Sequence, residues 1–133
     1  RLDTYIDIWK GIFASDHRRP LGMIVLKGVK DAHRFGVAIT ASTGKVSRIV
    51  EKPKPPSPSK LAVTGLYFYC GKTLFDMVRS LKPSPRGELE ISDLNNALIR
   101  NGTLYCETMS GWWSDCGEWE SLQRTNELLA KGA

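Results

Sequence analysis

The adjacent residues Glu51 and Lys52 could together bind a ligand that carries both hydroxyl and phosphate groups. They end an apolar run and are followed by the rigid residue Pro53, which would hold the pair at a strand end. A carboxylate accepts hydrogen bonds from hydroxyl groups, and an ammonium attracts a phosphate. Adjacent opposite charges are more commonly a solvated surface pair of little energetic value, and this alternative stays open at this point.

Asp115 has an unusual setting, because it lies between aromatic residues and a glycine in the segment W-W-S-D-C-G at 112–117. A carboxylate at the carboxyl end of a strand could be a metal ligand, since open α/β sheets place their sites there. The same position suits the N-cap of a following helix. The residues alone leave both interpretations open.

A glycine inside an apolar strand and an arginine before a helix complete this set. Gly65 lies within V-T-G-L-Y-F-Y at 63–69, where glycine weakens a strand unless a ligand or another backbone approaches closely. Arg86 precedes an acidic helix start and would be free to reach an anion. Serine and cysteine nucleophile motifs, a P-loop and a G-x-G-x-x-G pattern are absent from the sequence.

The elements that would position these residues alternate in a way that is typical of an α/β fold. Helices are predicted at 5–19, 71–81, 88–100 and 118–131, and strands at 21–29, 35–40, 46–50, 61–70, 103–109 and 112–115. The second and third strands form a hairpin. The fourth is apolar along its whole length, so we expect both of its faces to be covered. The order predicts a mixed β-sheet flanked by helices.

Apolar stripes predict which helix faces point inward. The inward residues are expected to be Leu74, Met77, Val78 and Leu81 in the second helix, Ile91, Leu94 and Leu98 in the third, and Trp119, Leu122 and Leu129 in the last. Gly102 should end the third helix.

Length and composition describe one ordinary globular domain or a piece of one, with 133 residues, 41% hydrophobic and 25% charged. No apolar run approaches the roughly 18 residues of a membrane span, so we expect no membrane partner. The net charge of +5 is modest, the basic residues are interspersed with acids, and no nucleic-acid motif is present, so we expect no nucleic-acid partner. Three cysteines without a C-x-x-C spacing suggest reduced thiols and a cytoplasmic location.

Five segments in order give the sequence a family resemblance. They are R-F-G-V at 34–37, E-K-P at 51–53, V-T-G-L-Y-F-Y at 63–69, R-G-E-L-E-I-S-D at 86–93 and W-S-D-C-G at 113–117. Together they resemble the sugar-1-phosphate nucleotidyltransferases, closest to the glucose-1-phosphate thymidylyltransferase type, from about residue 3 onward. The resemblance implies a Rossmann-like fold and an Mg²⁺-dependent reaction, in which a nucleoside triphosphate and a sugar 1-phosphate give a nucleoside-diphosphate sugar and pyrophosphate.

The resemblance also implies a substrate-binding role for each matching residue. Gly36 would contact the sugar through its backbone, Glu51 would bind sugar hydroxyl groups and Lys52 the sugar phosphate. The sugar pocket would be lined by Thr64, Gly65 and Tyr67.

Phosphate and metal contacts are implied in the same way. Arg86 would approach phosphate groups, and Asp115 would be one Mg²⁺ ligand. Asp3 resembles the family's other metal aspartate, although Leu2 stands where the family has glycine. Two carboxylates suit Mg²⁺, which takes one or two of them together with phosphate oxygens.

One family motif has no counterpart here, namely the G-x-G-T-R-x-x-P loop that holds the triphosphate. We therefore expect residues 1–133 to be the C-terminal, sugar-phosphate-binding part of a nucleotidyltransferase domain, without the N-terminal nucleotide-binding part. Such a chain would be inactive alone and would bind sugar 1-phosphate weakly. The alternative is a non-catalytic sugar-phosphate-binding or self-assembling module derived from that fold. Exposed strand edges of an incomplete sheet would favour a homo-oligomer.

Overall fold

A mixed five-stranded β-sheet organises the residues that the structure describes. The structure is a computed structural model, and it describes residues 2–15, 21–85, 87–117 and 119–130. The strands are β1 (Gly22–Gly28), β2 (Val37–Thr40), β3 (Val46–Val50), β4 (Leu61–Tyr69) and β5 (Leu104–Thr108). The α-helices are α1 (Leu2–Ser15), α2 (Lys72–Ser80), α3 (Ile91–Arg100) and α4 (Trp119–Ala130), and a 3-10 turn covers Ala32–Arg34. Within these ranges no helix is long and apolar enough to span a bilayer.

The strand order is β3-β2-β4-β1-β5. β1 runs parallel to β5 and antiparallel to β4, while β2 pairs antiparallel with both β3 and β4. The mixed α/β architecture that the sequence predicted is therefore confirmed. The β2–β3 hairpin also forms as predicted.

β1, rather than β4, is the strand that is covered on both faces. Four consecutive apolar side chains of β1, from Met23 to Leu26, are fully buried, whereas Ala62 is the one fully buried residue that the structure shows in β4. The difference follows from the neighbours of each strand. β1 lies between two strands over most of its length, but β2 pairs with β4 only at Val37 and Ala62. The expectation that β4 would be covered on both faces was wrong, because its C-terminal half borders open space.

The core lies between the sheet and the helices α2 and α3. Ile24, Leu26, Leu94, Leu98 and Leu104 are central to it. The predicted stripe residues Leu74, Met77 and Val78 of α2, and Leu81 directly after it, pack against this cluster, which confirms their inward orientation. Gly102, with φ of +65°, follows α3 as predicted.

The predicted inward side of α3 was wrong at Ile91, which is 45% exposed. The helix begins at Ile91 and not near residue 88, so this side chain belongs to the first turn. The apolar stripe therefore meets the core only from the second turn onward.

The last helix and the segment before it also differ from prediction. Residues 112–115 form no strand, and Trp119, Leu122 and Leu129 are 70%, 38% and 57% exposed. Instead, the half-buried face of α4 is the one that carries Ser121, Thr125 and Leu128. The Thr125 hydroxyl lies 2.7 Å from the Ser114 hydroxyl oxygen and 2.7 Å from a backbone carbonyl one turn earlier. This face thus contacts the segment before the helix, whereas the predicted apolar stripe is exposed.

Candidate functional site

A cavity of about 550 Å³ opens beside the C-terminal half of β4. It is bordered by the end of β3, the first turns of α3, and the segments 34–36 and 113–115. The structure brings together six residues that the sequence singled out from separate segments. These residues are Gly36, Glu51, Thr64, Gly65, Tyr67 and Asp115.

The carboxylate of Glu51 lies directly against the backbone of Gly36. A Cβ atom added at Gly36 would be 2.7 Å from Oε2 of Glu51, which is closer than real Cβ contacts allow. Two backbone bonds hold this arrangement: the amide of Val63 donates to the carbonyl of Gly36 at 2.8 Å, and the amide of Lys52 donates to the carbonyl of Phe35 at 3.1 Å. Among the described residues, Glu51 has no ion-pair partner, so its oxygens are available to a ligand.

Gly65 belongs to a β-bulge that bends β4 beside the cavity. Ile24 and Leu26 of β1 pair with Tyr67 and Val63, so three residues of β4 face one of β1 at this point. Gly65 has φ of +84°, a conformation that other residues adopt at a cost. No atom of the described residues lies within 4 Å of a Cβ built there, so the glycine is required by the backbone conformation and leaves open space at the cavity wall.

The Thr64 hydroxyl stabilises the same bulge. Oγ1 donates to the carbonyl of Val25 at 2.8 Å, which satisfies a backbone group that the bulge leaves without a ladder partner. The amide of Leu66 also approaches this oxygen, at 3.4 Å. Thr64 lines the cavity, but its hydroxyl is already engaged by the protein.

Tyr67 lines the cavity and stacks on Tyr69, which lies behind it in β4. The rings of Tyr67 and Tyr69 are 5.9 Å apart and nearly parallel, and the hydroxyl of Tyr69 donates to Oδ1 of Asn95 at 2.7 Å. Burial, and then the negative charge of Glu51, raise the pKa of Tyr67. Burial, and then Tyr67, raise the pKa of Tyr69 far above its ordinary value, against a smaller lowering by Asn95. Both phenols therefore remain O–H donors at neutral pH.

Aromatic residues and a carboxylate also line the cavity. Phe35 and Trp113 contact edge to face at 5.2 Å, and Asp115 follows in the same segment. The exposed carboxylate of Asp115 accepts a hydrogen bond from the amide of Gly117 at 3.2 Å. Its described bond is thus made within the preceding turn and not to an amide of α4, which does not support the N-cap interpretation. Asp115 also borders a second cavity of about 610 Å³.

Three predicted site residues are not assembled with the others. Lys52 is exposed, has φ of +39° and does not line the cavity. Asp3 is exposed in the first turn of α1 and lines neither cavity. Arg86 lies outside the described residues.

The carboxylates of the described residues fit a metal ion only in part. Within ranges 2–15, 21–85, 87–117 and 119–130, no group of three or more His, Cys, Asp or Glu side chains could hold a metal. Asp115 is a single carboxylate at a cavity. That is compatible with Mg²⁺, which usually keeps several waters and completes its shell with substrate phosphates.

Sequence reasoning missed several residues of the cavity wall, including Asn95 and Trp113. Asn95 is 2% exposed and stands beside Leu94 on the inner face of α3. A polar residue at the border of an apolar helical stripe was the available signal. Trp113 lies in a segment that was predicted as a short strand, and in the structure it lines the cavity.

Comparison with known proteins identifies the family of the chain. The family model described as "Nucleotidyl transferase" matches residues 11–132, and the chain belongs to that family. It is 51% identical over 103 residues to a glucose-1-phosphate thymidylyltransferase of Xanthomonas campestris pv. campestris, covering 76% of this chain and 34% of the relative. It is also 36% identical over 107 residues to the low-salt glycan biosynthesis nucleotidyltransferase Agl11 of Haloferax volcanii, covering 80% of this chain and 29% of the relative. The chain thus spans about a third of the length of these curated relatives.

Solved structures share the fold. A Bacillus anthracis protein, solved with sucrose as a candidate glucose-1-phosphate thymidylyltransferase, has a TM-score of 0.76 and 42% identity, over 94% of this chain and 47% of that one. Apo UDP-glucose pyrophosphorylase has a TM-score of 0.72 at 21% identity, over 98% of this chain and 48% of that one, which supports the fold alone.

Proposed function

We propose that the cavity binds a sugar 1-phosphate, and that residues 1–133 are the sugar-phosphate-binding part of a nucleotidyltransferase that releases pyrophosphate and makes a nucleoside-diphosphate sugar. The observation that carries the proposal is the convergence of six sequence-predicted residues on one cavity of about 550 Å³. The names of the relatives favour glucose 1-phosphate as the sugar phosphate.

The cavity offers groups that suit a hexose. Glu51 supplies acceptors for sugar hydroxyls, and Tyr67 supplies an O–H donor. Trp113 offers an apolar face against which the C–H groups of a sugar ring could pack. The bulge at Gly65 keeps side-chain bulk away from the wall, so that a ligand can approach the backbone.

Phosphate and metal binding extend the proposal beyond the described cavity. Lys52 follows Glu51 directly, and its flexible side chain could bring an ammonium to the phosphate, with Arg86 as a second cation. Asp115 would hold Mg²⁺ at the cavity, with Asp3 as a second ligand by family resemblance. The ion, when bound, would neutralise phosphate charge.

We also propose that these 133 residues alone do not catalyse nucleotidyl transfer. The G-x-G-T-R-x-x-P loop is absent from them, and phosphoryl transfer depends almost entirely on positioning and charge stabilisation. Pyrophosphate release above background from a nucleoside triphosphate and glucose 1-phosphate would contradict this.

Self-association is a second proposed property, and it keeps the alternative of an assembling module. The exposed Trp119, Leu122 and Leu129 of α4 support it, because large apolar residues on one helix favour a partner surface. A cytoplasmic location is proposed as well, on the support of three free cysteines. Light scattering at high concentration tests the oligomer, since a monomer of 14.8 kDa would contradict it.

Titration of the chain with glucose 1-phosphate, with and without Mg²⁺, tests sugar-phosphate binding. We expect weak binding, with a dissociation constant on the order of millimolar, that Glu51→Gln weakens further. Asp115→Asn should remove the difference in affinity between the titrations with and without Mg²⁺. The matched control is Asp76→Asn, because Asp76 is exposed on α2, pairs with Arg79 at 2.9 Å and lines neither cavity. Absence of binding at high millimolar ligand would reject the proposed function.

A further inference from the structure

The side-chain amide of Asn95 has an unused donor at the cavity. Asn95 is only 2% exposed, yet it lines the cavity. Its Oδ1 accepts from the hydroxyl of Tyr69 at 2.7 Å, and among the described residues Nδ2 has no acceptor. No fully buried side-chain nitrogen or oxygen of those residues is without a partner. Because Nδ2 has no partner in this part of the chain, it is not one of these fully buried atoms. It therefore retains contact with open space, and the cavity provides that space.

Tyr69 determines which end of the amide faces the cavity. Its pKa is raised, so the phenol keeps its proton and needs an acceptor. Oδ1 of Asn95 is the acceptor that the described residues provide. A flipped amide would present NH₂ to the phenol and leave the half-buried O–H without an acceptor, which is unfavourable. Tyr69 is in this sense a positioning residue for Asn95.

We infer that Nδ2 of Asn95 donates a hydrogen bond to the oxygen of one hydroxyl group of the bound sugar. The Tyr69–Asn95 pair thereby makes the cavity selective for sugar 1-phosphates that carry this hydroxyl group unsubstituted. The inference rests on the proposed function and adds a residue and a specificity to it. A ligand that lacks the hydroxyl leaves a buried donor unpaired, so the site rejects it.

The chemistry of the other cavity-lining groups agrees with a hydroxyl as the partner of Nδ2. Glu51 presents acceptors to the same cavity, so the site combines a nearly buried neutral donor with a carboxylate. A sugar presents hydroxyls that can donate to one group and accept from another. A phosphate group placed at Nδ2 would be favoured by the donor but repelled by Glu51, and an apolar group there would leave both unpaired.

The test uses the full chain and a series of ligands, namely glucose 1-phosphate and its 2-, 3-, 4- and 6-deoxy analogues. We expect the parent to bind one analogue about tenfold or more weakly than the others, because a hydrogen bond to a buried group is lost. Asn95→Asp should bind glucose 1-phosphate about as weakly as the parent binds that analogue, and should no longer discriminate against it. The control is Asn126→Asp, the same chemical change at an exposed position of α4 that lines neither cavity.

A second measurement requires no variant, in case Asn95→Asp does not fold. In a ¹⁵N NMR titration of the parent, the side-chain NH₂ pair of Asn95 should shift with glucose 1-phosphate and stay in place with the discriminated analogue. Tyr69→Phe should keep measurable sugar-phosphate binding but reduce this discrimination.

The outcomes separate the two proposals. If the parent binds glucose 1-phosphate but all four analogues bind equally well, or the Asn95 NH₂ pair does not move, this inference is overturned and the proposed function stands. If the parent binds no sugar phosphate, the proposed function fails and the inference fails with it.

Discussion

Gly36 leaves the space that the carboxylate of Glu51 occupies at the edge of the cavity. A Cβ at position 36 would stand 2.7 Å from Oε2 of Glu51 and 3.8 Å from its carboxyl carbon. The two residues are separated by a β-hairpin in the sequence, and the antiparallel pairing of Val37 with Val50 brings them together. The hairpin therefore places Gly36 where the absence of a side chain leaves room for the Glu51 carboxylate in its orientation at the cavity.

Gly36→Ala should weaken sugar-phosphate binding while leaving the fold intact. The backbone of Gly36 is outside the left-handed region, and the atom that the new methyl meets is the far end of an exposed side chain. Glu51 would turn away, and the loss of a charged hydrogen bond of about 1.5–3 kcal/mol corresponds to roughly ten- to hundredfold in affinity. Calorimetry with glucose 1-phosphate, alongside urea denaturation, measures both effects.

Gly28→Ala is the matched control, because in the part of the chain that the structure describes no atom lies within 4 Å of a Cβ there, and its backbone also avoids the left-handed region. Equal affinities for the two variants would show that Glu51 is not held by the space at Gly36.

Much of the site was predictable because its residues lie at places where packing alone gives a poor explanation. A glycine inside an apolar strand, as at Gly65, is unfavourable unless something else requires it, and a carboxylate directly after an aromatic segment, as at Asp115, is unusual for packing. The structure gives both residues a position in one cavity. Their convergence could not be deduced from spacing, since it depends on strand order and on the bulge in β4.

The errors have a common physical origin in tertiary context. The apolar stripe of α4 predicted a buried face, but the half-buried face is the one from which Thr125 contacts Ser114. β4 is as apolar as β1, yet its partner β2 pairs with it at a single position. Periodicity indicates which side of an element is apolar, but the neighbours that cover it are set by the whole chain.

Gly65→Ala should destabilise the fold by about 1–2 kcal/mol, the cost of a non-glycine residue in the left-handed region. The added methyl would meet no atom within 4 Å, so the loss would be conformational and not steric. Urea denaturation of the parent and the variant measures it. Gly65→Asn should lose less, because asparagine tolerates this conformation better than alanine. An alanine variant as stable as the parent would contradict the conformational explanation.

Cys106 should make the free energy of unfolding fall between about pH 9 and pH 11. Burial, and then the charge of Glu107, raise the pKa of Cys106 from 9.0 to about 11. In this interval the unfolded chain has released a proton that the folded chain retains, so alkali favours unfolding. Below pH 9 both states keep the proton and the effect vanishes.

The measurement compares the pH dependence of unfolding in the parent and in Cys106→Ala. The difference in unfolding free energy between the two should be constant up to about pH 8.5 and then shift against the parent. A constant difference up to pH 11 would show that the Cys106 thiol ionises equally in both states.

Tyr69→Phe should destabilise the protein by about 1–3 kcal/mol, because it leaves Oδ1 of the buried Asn95 without its hydrogen bond. Tyr67→Phe provides the matched control: this half-buried ring stacks on Tyr69, and among the described residues its hydroxyl has no hydrogen-bond partner. The control should therefore change the stability by less than the Tyr69 variant. Thermal and urea unfolding of the two variants, measured in parallel, gives the comparison. Equal losses would mean that the destabilisation arises from removing a phenol oxygen from either ring of the stacked pair and not from the bond between Tyr69 and Asn95.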